Sequence, residues 1–276
     1  MASGPDEFEP GQMWVLPPRT SPLPEDSDAH PHLLLAAQPQ GAWAVMVLGT
    51  GSDAELGHGA SGHIVTPSGP ALGGRALSKK THFYGAILVP YPLPMLNRAM
   101  DGLIGELQAV REAVKAGIGC GTGEHWNHKP QFDGAPSWRG KVVRLLGTAK
   151  KELDTPFAVI LTQHEYSASK RWQALVPLYD EAEFEPALAH TAVRIERPWV
   201  SNLLGRGDGA LLTSGSLIRS LWHDKHIGEP TRYTVEARDL ALIEADARRA
   251  LLLDERVIGD DDVEAASIGM STEAAN

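Results

Sequence analysis

A single cysteine, Cys120, stands among the 276 residues. One thiol cannot close an internal disulfide, so the small disulfide-stapled secreted scaffolds are excluded and a reducing compartment is expected. No apolar run approaches the roughly 20 residues that cross a bilayer. The longest, near Leu33–Ala37 and Gly85–Pro90, are strand-sized. The opening MASGPDEFEP is acidic and has no apolar stretch, so no secretory leader is expected there. Basic residues are also scarce: 25 Lys and Arg face 35 Asp and Glu, a formal charge of −10. Seven acids against one base between Asp254 and Asn276 supply −6 of this, which leaves −4 for the rest of the chain. A protein that grips long stretches of phosphate carries a basic excess, and this one does not, although a short single-stranded RNA in a locally basic groove remains compatible. The 42% of hydrophobic residues exclude wholesale disorder. These features together predict a cytoplasmic protein with no membrane segment.

What is present divides near the middle. Residues 119–139, GCGTGEHWNHKPQFDGAPSWR, mix Gly, Pro, Asn and Asp without an apolar period, as a linker does. Before them Leu96, Met100, Leu103, Leu107, Val110 and Val114 recur at helical spacing, with Gly117 placed to stop the helix. Near the end of the second half Leu240, Ile243, Ala247 and Leu251 form a similar stripe behind the acids of Glu236-Ala-Arg-Asp239. Each stripe follows a series of short β-type runs. In the first half these are Gln12–Leu16, His32–Ala37, Ala42–Leu48, His63–Thr66 and Phe83–Val89. In the second they are Lys141–Leu146, Phe157–Leu161, Trp172–Pro177, Ala192–Glu196 and Gly215–Leu221. The pattern predicts a mainly β chain with helices, of the α+β class. Five short strands and a helix, given twice, is the plan of two small SH3-like barrels in tandem. The boundaries expected are 8–118 for the first unit, 119–139 for the linker, 140–253 for the second unit and 254–276 for an acidic, mobile tail.

Several smaller features carry no chemistry of their own. Cys120, His125 and His128 are spaced as metal ligands are, but a fourth ligand is not evident, so no metal is expected. His223 and His226 in WHDKH read as a charged surface turn, and Gly205–Gly209 as a flexible loop. The glycines of Gly117–Gly123 lack the Lys-Ser/Thr of a phosphate-binding loop, and no cofactor is expected.

The run Gly11-Gln-Met-Trp14-Val-Leu, the loop ending in His30-Pro31 before HLLLAA, and AVMVLGTGS together resemble the start of MazF/PemK-type toxins. Leu77-Ser-Lys-Lys-Thr-His-Phe before GAILVPYP is similar to the segment that leads into the last strand of that family. In the second half Gly140-Lys-Val-Val-Arg, Thr155-Pro156-Phe-Ala-Val-Ile-Leu-Thr, Trp172-Gln-Ala-Leu-Val-Pro-Leu and YTVEARDLALIEADARRALLL repeat the plan. The resemblance spans most of residues 8–253 and rests on order and spacing. It implies barrels of the type shared with the CcdB gyrase inhibitor, each followed by a helix.

It also implies a chemistry. In such ribonucleases the 2′-hydroxyl attacks the adjacent phosphate, an Arg before a loop proline assists, and a hydroxyl at the end of the third strand contacts the phosphate. Here the position before Pro31 is His30, the hydroxyl position is Thr50, and Arg19 lies in the same loop. These three are the catalytic candidates. In the second half the corresponding positions are Thr155 and Tyr179 or Asp180, with no cation, so that site reads as degenerate. The loop Pro17–Pro31 has Glu25, Asp26 and Asp28 against Arg19 alone, which favours a basic protein segment over phosphate. The function expected is therefore a toxin–antitoxin or defence-related double module that binds a macromolecule, a protein rather than RNA, with catalysis lost or weak. The alternative is an endoribonuclease that cuts single-stranded RNA through the first-half groove.

Overall fold

Aliphatic and β-branched runs broken by Pro, Gly and Asp become strands because alternate residues can then be buried on the two faces of a sheet. The computed structural model describes residues 8–16, 30–38, 43–50, 62–65, 77, 80–92, 96, 104–118, 138–162, 172–184, 192–205 and 209–254. The first series is β1 (Met13–Leu16), β2 (His30–Gln38), β3 (Trp43–Thr50), β4 (Gly62–Val65) and β5 (Thr81–Pro92), followed by helix α1 (Ile104–Gly117). The second opens with β6 (Lys141–Leu145), α2 (Gly147–Leu153), β7 (Phe157–Ile160), β8 (Trp172–Asp180), β9 (Val193–Ile195), α3 (Pro198–Leu204) and β10 (Leu211–Thr213). A 3-10 turn at Gly215–Leu217 leads to β11 (Arg219–Trp222), α4 (His223–His226), β12 (Ile227–Thr234) and α5 (Ala237–Ala250).

All strand pairings among the described residues are antiparallel. The first sheet runs β1-β2-β3-β5-β4, and the second contains the same order as β6-β7-β8-β10-β9, with β12 added beside β6 and β11 beside β8. The chain is thus α+β and mostly antiparallel. Among the described residues neither sheet closes: β4 pairs only with β5 and β9 only with β10, so no barrel seam forms.

The expected strands are all found, with shifted ends. The stretch Gly215–Leu221 is the main exception, because it begins as a 3-10 turn and becomes a strand only at Arg219. Strands β10 and β12 and helices α2, α3 and α4 are additional to the sequence-based expectation. Residues 119–137 of the expected 119–139 linker and the tail beyond Asp254 lie outside the described residues, as do residues 97–103 of the first helical stripe.

Register shows how closely the two series agree. Met13 pairs Leu33, Leu33 pairs Val47 and Val47 pairs Leu88. In the second sheet Val142 pairs Val159 and Val159 pairs Val176. Every one of these residues belongs to one continuous apolar core, which also takes Leu107, Val110 and Val114 of α1 and Ile243 and Ala247 of α5. The opposite faces form two separate smaller clusters. Trp14, Leu16, Leu34 and Met46 cover the first sheet, and Val143, Leu145, Ala158, Ile160 and Leu175 the second. Phe8 packs on the first of these clusters and Trp138 on the second, each just ahead of the first strand of its sheet.

The two sheets meet through corresponding strands. The Leu88 N–H of β5 donates to Ser220 Oγ of β11 at 2.8 Å in a buried setting. Lys115 of α1 pairs with Asp254, just past α5, at 3.2 Å. Leu253 beside it is fully buried in the common core.

One steric feature recurs in both halves. Strand β5 is irregular between its pairings at Phe83 and Leu88, and Gly85 lies in that irregularity. A β-carbon on Gly85 would sit 2.0 Å from Ala113 O and 2.8 Å from Val114 N of α1. In the second half Gly215 lies where the strand is interrupted between β10 and β11. A β-carbon there would sit 2.2 Å from Ala247 N and 2.5 Å from Asp246 C of α5. Each helix therefore rests its backbone on a glycine.

Gly85→Ala and Gly215→Ala should each cost about 3 kcal/mol, because helix backbone rather than a flexible side chain blocks the added methyl. Gly205→Ala meets nothing within 4 Å, but its φ of +70° is left-handed. That change should cost only about 1 kcal/mol. Urea unfolding midpoints of the three variants distinguish these outcomes, and equal costs at all three positions would show that the helix contacts are not tight.

Candidate functional site

The ends of β2, β3 and β5 place the sequence-selected residues side by side. Leu16 pairs His30, and His32 pairs Leu48. Continuing the second register by two residues sets His30 beside Thr50. Thr50 in turn pairs His82, and His82 pairs Ile64. A cross-strand row Leu16–His30–Thr50–His82–Ile64 therefore runs across one end of the first sheet. Residues in register share a face, and neighbouring strands are about 4.8 Å apart, so the His30 and His82 backbones lie about 10 Å apart with Thr50 between them. His30 is 8% exposed and His82 half-buried. Two imidazoles flanking a threonine can move protons or donate hydrogen bonds to a group seated across the row.

His82 was not among the sequence candidates, although it lies inside the quoted run LSKKTHF. Its partnership with Thr50 depends on the irregularity in β5, which realigns the strand between Phe83 and Leu88. Arg19 lies outside the described residues, and so does the rest of the acidic loop 17–29. Cys120, His125 and His128 are also outside them. No group of three or more His, Cys, Asp or Glu side chains that could hold a metal occurs among the described residues.

The row sits beside a second histidine. His32 pairs Trp14 and is completely buried. Its Nδ1–H donates to the His30 backbone carbonyl at 2.9 Å, which makes the neutral ring the Nδ1–H tautomer. Burial, the largest influence, pushes its pKa down to about 4; the bond to the His30 carbonyl opposes this, and the charge of the His30 ring adds a smaller downward push. A neutral His32 therefore anchors the strand end that carries His30, whereas a charged one would be expelled from the face.

The second sheet carries a different row at the same place. The Leu145 N–H donates to Pro156 O at 2.9 Å, and Tyr179 pairs Leu212, which pairs Arg194. The register Phe157–Leu178, continued by one residue, sets Pro156 beside Tyr179. So Pro156, and not Thr155, occupies the place of His30, while Tyr179 stands for Thr50 and Leu212 for His82. Thr155 lies one residue farther out, where its hydroxyl donates to Leu178 O. The two titratable imidazoles of the first row have no counterpart here. The sequence-based expectation that no cation lies near Tyr179 needs one correction: Arg219 of β11 is within electrostatic range of it.

The charged tail of WHDKH also resolves differently from the expected surface turn. His223–His226 form the short helix α4, which packs on α2, and His226 Nδ1 lies 3.5 Å from Thr148 Oγ1. Partial burial holds the His226 pKa below its ordinary value.

No family model, curated protein or solved structure matches this chain. No helix among the described residues is long and apolar enough to cross a membrane.

The burial of His32 makes stability depend on pH. Its folded-state pKa of about 4 lies below the ordinary 6.5. The unfolded chain therefore binds the proton first as pH falls. This contribution is complete above pH 6.5 and is lost progressively as pH falls toward 4, by about 3 kcal/mol in all. Urea titrations at pH 7.5, 5.5 and 4.5 should show this loss in the parent chain and much less of it in His32→Leu. A parallel decline in both chains would show that other groups control the acid transition.

Proposed function

We propose that the chain is a double module of the MazF/PemK type, with units at 8–118 and 140–253, that works by binding a macromolecular partner through the first-half row. What carries this proposal is the contrast between the two rows. Strand order, inward-facing core and glycine–helix contact recur in both halves, but His30–Thr50–His82 in one becomes Pro156–Tyr179–Leu212 in the other. Fold-determining positions have been kept while chemistry-bearing positions have diverged, as happens when a duplicated unit keeps its scaffold and only one copy keeps its surface. The SH3-like barrel is part of the proposal, since closure would have to involve residues outside those described.

Binding is preferred to catalysis for two reasons. Neither row contains an Arg at the position before the loop proline, and His30 is buried beside a neutral His32. The net charge of −10 favours a partner with a basic surface over RNA, and the acids Glu25, Asp26 and Asp28 lie in the loop that leads to His30.

The endoribonuclease alternative has one observation of its own. His82, on the same row as His30, gives the site two imidazoles, one of which could serve as base for a 2′-hydroxyl and the other as acid for the leaving 5′-oxygen.

A single assay distinguishes the two. The purified chain is incubated with a mixed-sequence single-stranded RNA, and both cleavage and binding are followed at physiological salt. We expect neither cleavage nor tight binding. Cleavage that falls by about 10²–10³-fold in His30→Ala and His82→Ala would replace the binding module by the ribonuclease. Cleavage indifferent to both substitutions would remove the row from the mechanism.

A further inference from the structure

The outer face of the second sheet holds buried polar atoms that have no hydrogen-bond partner among the described residues. On β8 and β11 Gln173 pairs Leu221, and Leu175 pairs Arg219. Directly paired residues share a face, and residues two apart along a strand return to it, so Gln173 and Arg219 are diagonal neighbours. Such neighbours lie about 7–8 Å apart at the backbone, within reach of one another for long side chains. Gln173 is 1% exposed, and neither its Oε1 nor its Nε2 has a hydrogen-bond partner among the described residues. The Nε of Arg219 is also buried without one. No carboxylate forms an ion pair with Arg219 among the described residues; Glu152 of α2 and Tyr179 of β8 only reach it electrostatically. Burial lowers the pKa of its guanidinium from the ordinary value.

This arrangement is costly. A buried donor or acceptor without a partner destabilises by about 1–3 kcal/mol. The surrounding residues, Leu145, Leu153, Leu175 and Ile227, form an apolar cluster that a Met and a Leu would extend without loss. The corresponding face of the first sheet does use apolar residues: Met46 stands where Leu175 does, and Val89 stands where Arg219 does. Helices α2 and α4 border this side of the second sheet, with Glu152 of α2 reaching both Arg219 and His226 electrostatically and Thr148 beside His226.

The orphaned atoms specify a complement. Arg219 supplies one positive charge and a fork of N–H donors, Gln173 Nε2 adds a donor, and Gln173 Oε1 requires a donor from the ligand. We propose that this face binds a small oxyanion of single charge that carries its own O–H, either a protonated phosphate group or a hydroxy-carboxylate. A bare carboxylate would leave Oε1 unsatisfied, and a doubly charged anion would exceed the one cation.

Thermal unfolding of the full chain tests this, in buffer free of phosphate and carboxylate and at constant ionic strength maintained with NaCl. The probes are inorganic phosphate at pH 6, glycolate, and acetate as the comparator without a hydroxyl. Phosphate or glycolate should raise the midpoint saturably, and whichever does so identifies the class, while acetate should do less. Arg219→Met and Gln173→Leu should abolish the response while leaving the ligand-free midpoint unchanged or higher, since each removes an orphaned polar group. Arg219→Lys, which keeps the charge but not the fork, should weaken the apparent affinity by about tenfold. The proposal is overturned if neither probe moves the midpoint beyond NaCl alone, or if Arg219→Met and Gln173→Leu respond as the parent does. It is also overturned if both these variants unfold and Arg219→Lys binds as the parent does.

Discussion

The two long helices, α1 and α5, approach their sheets closely because each lies over a glycine. At Gly85 and Gly215 the space a β-carbon would occupy is already filled by the peptide backbone of α1 or α5. Packing this close lets Val114 and Ala247, at equivalent places on the two helices, join the common core. The same feature disrupts the strand. In β5 it appears as a break in register between Phe83 and Leu88, and in the second half as a 3-10 turn that divides β10 from β11. Asp246 then closes the gap, accepting the Gly215 N–H at 2.6 Å and pairing with Arg249 at 3.0 Å.

The break has a further consequence on the neighbouring strand. Between its ladder with β11, which ends at Leu175, and its ladder with β10, which begins at Tyr179, β8 has no partner strand on that edge among the described residues. Pro177 occupies this gap. A proline cannot donate to a ladder and is ordinarily kept out of central strands. Here its carbonyl accepts the Thr213 hydroxyl at 2.7 Å, which supports the end of β10 by a side-chain bond instead. Gly215 and Pro177 thus belong to one device: the glycine admits the helix, the strand bulges to meet it, and the proline tolerates the lost pairing.

Much of this was legible from residue order and some was not, for identifiable reasons. The helical stripes at Leu107, Val110 and Val114 and at Leu240, Ile243 and Ala247 stood out because burial on one helix face imposes a period of 3.6. Strand β12 did not: IGEPTRYT contains a Gly, a Pro and two charges, and only Ile227 at its start is buried. Helix α2, GTAKKEL, opens on a glycine, has no side-chain cap and buries only Ala149 and Leu153, so it leaves no apolar stripe. In the candidate site His30 and Thr50 are selected by the resemblance to the toxin family, which implies a residue before the loop proline and a hydroxyl at the end of the third strand. His82 is not, because its place beside Thr50 follows from a register that the glycine bulge resets. Thr155 is set against His30 because each precedes a proline, whereas pairing sets Pro156 there.

The two sheets, alike in strand order, differ in which of their positions carry polar groups. Inward residues such as Met13, Leu33 and Val47 and their counterparts Val142, Val159 and Val176 all contribute to one core, so a polar group at any of them would destabilise both halves together. Outward positions are shielded separately, by Phe8 and Leu96 on one side and by Trp138 and Leu221 on the other. A change there is felt only locally. Two polar exceptions occur there: His32 where the second sheet has Ala158, and Arg219 where the first has Val89. Each replaces an apolar contact by a polar group, fully buried at His32 and half-buried at Arg219, and each lies on the face that its half does not share with the other. The common core fixes the scaffold, and the two outer faces are left free to acquire different chemistry.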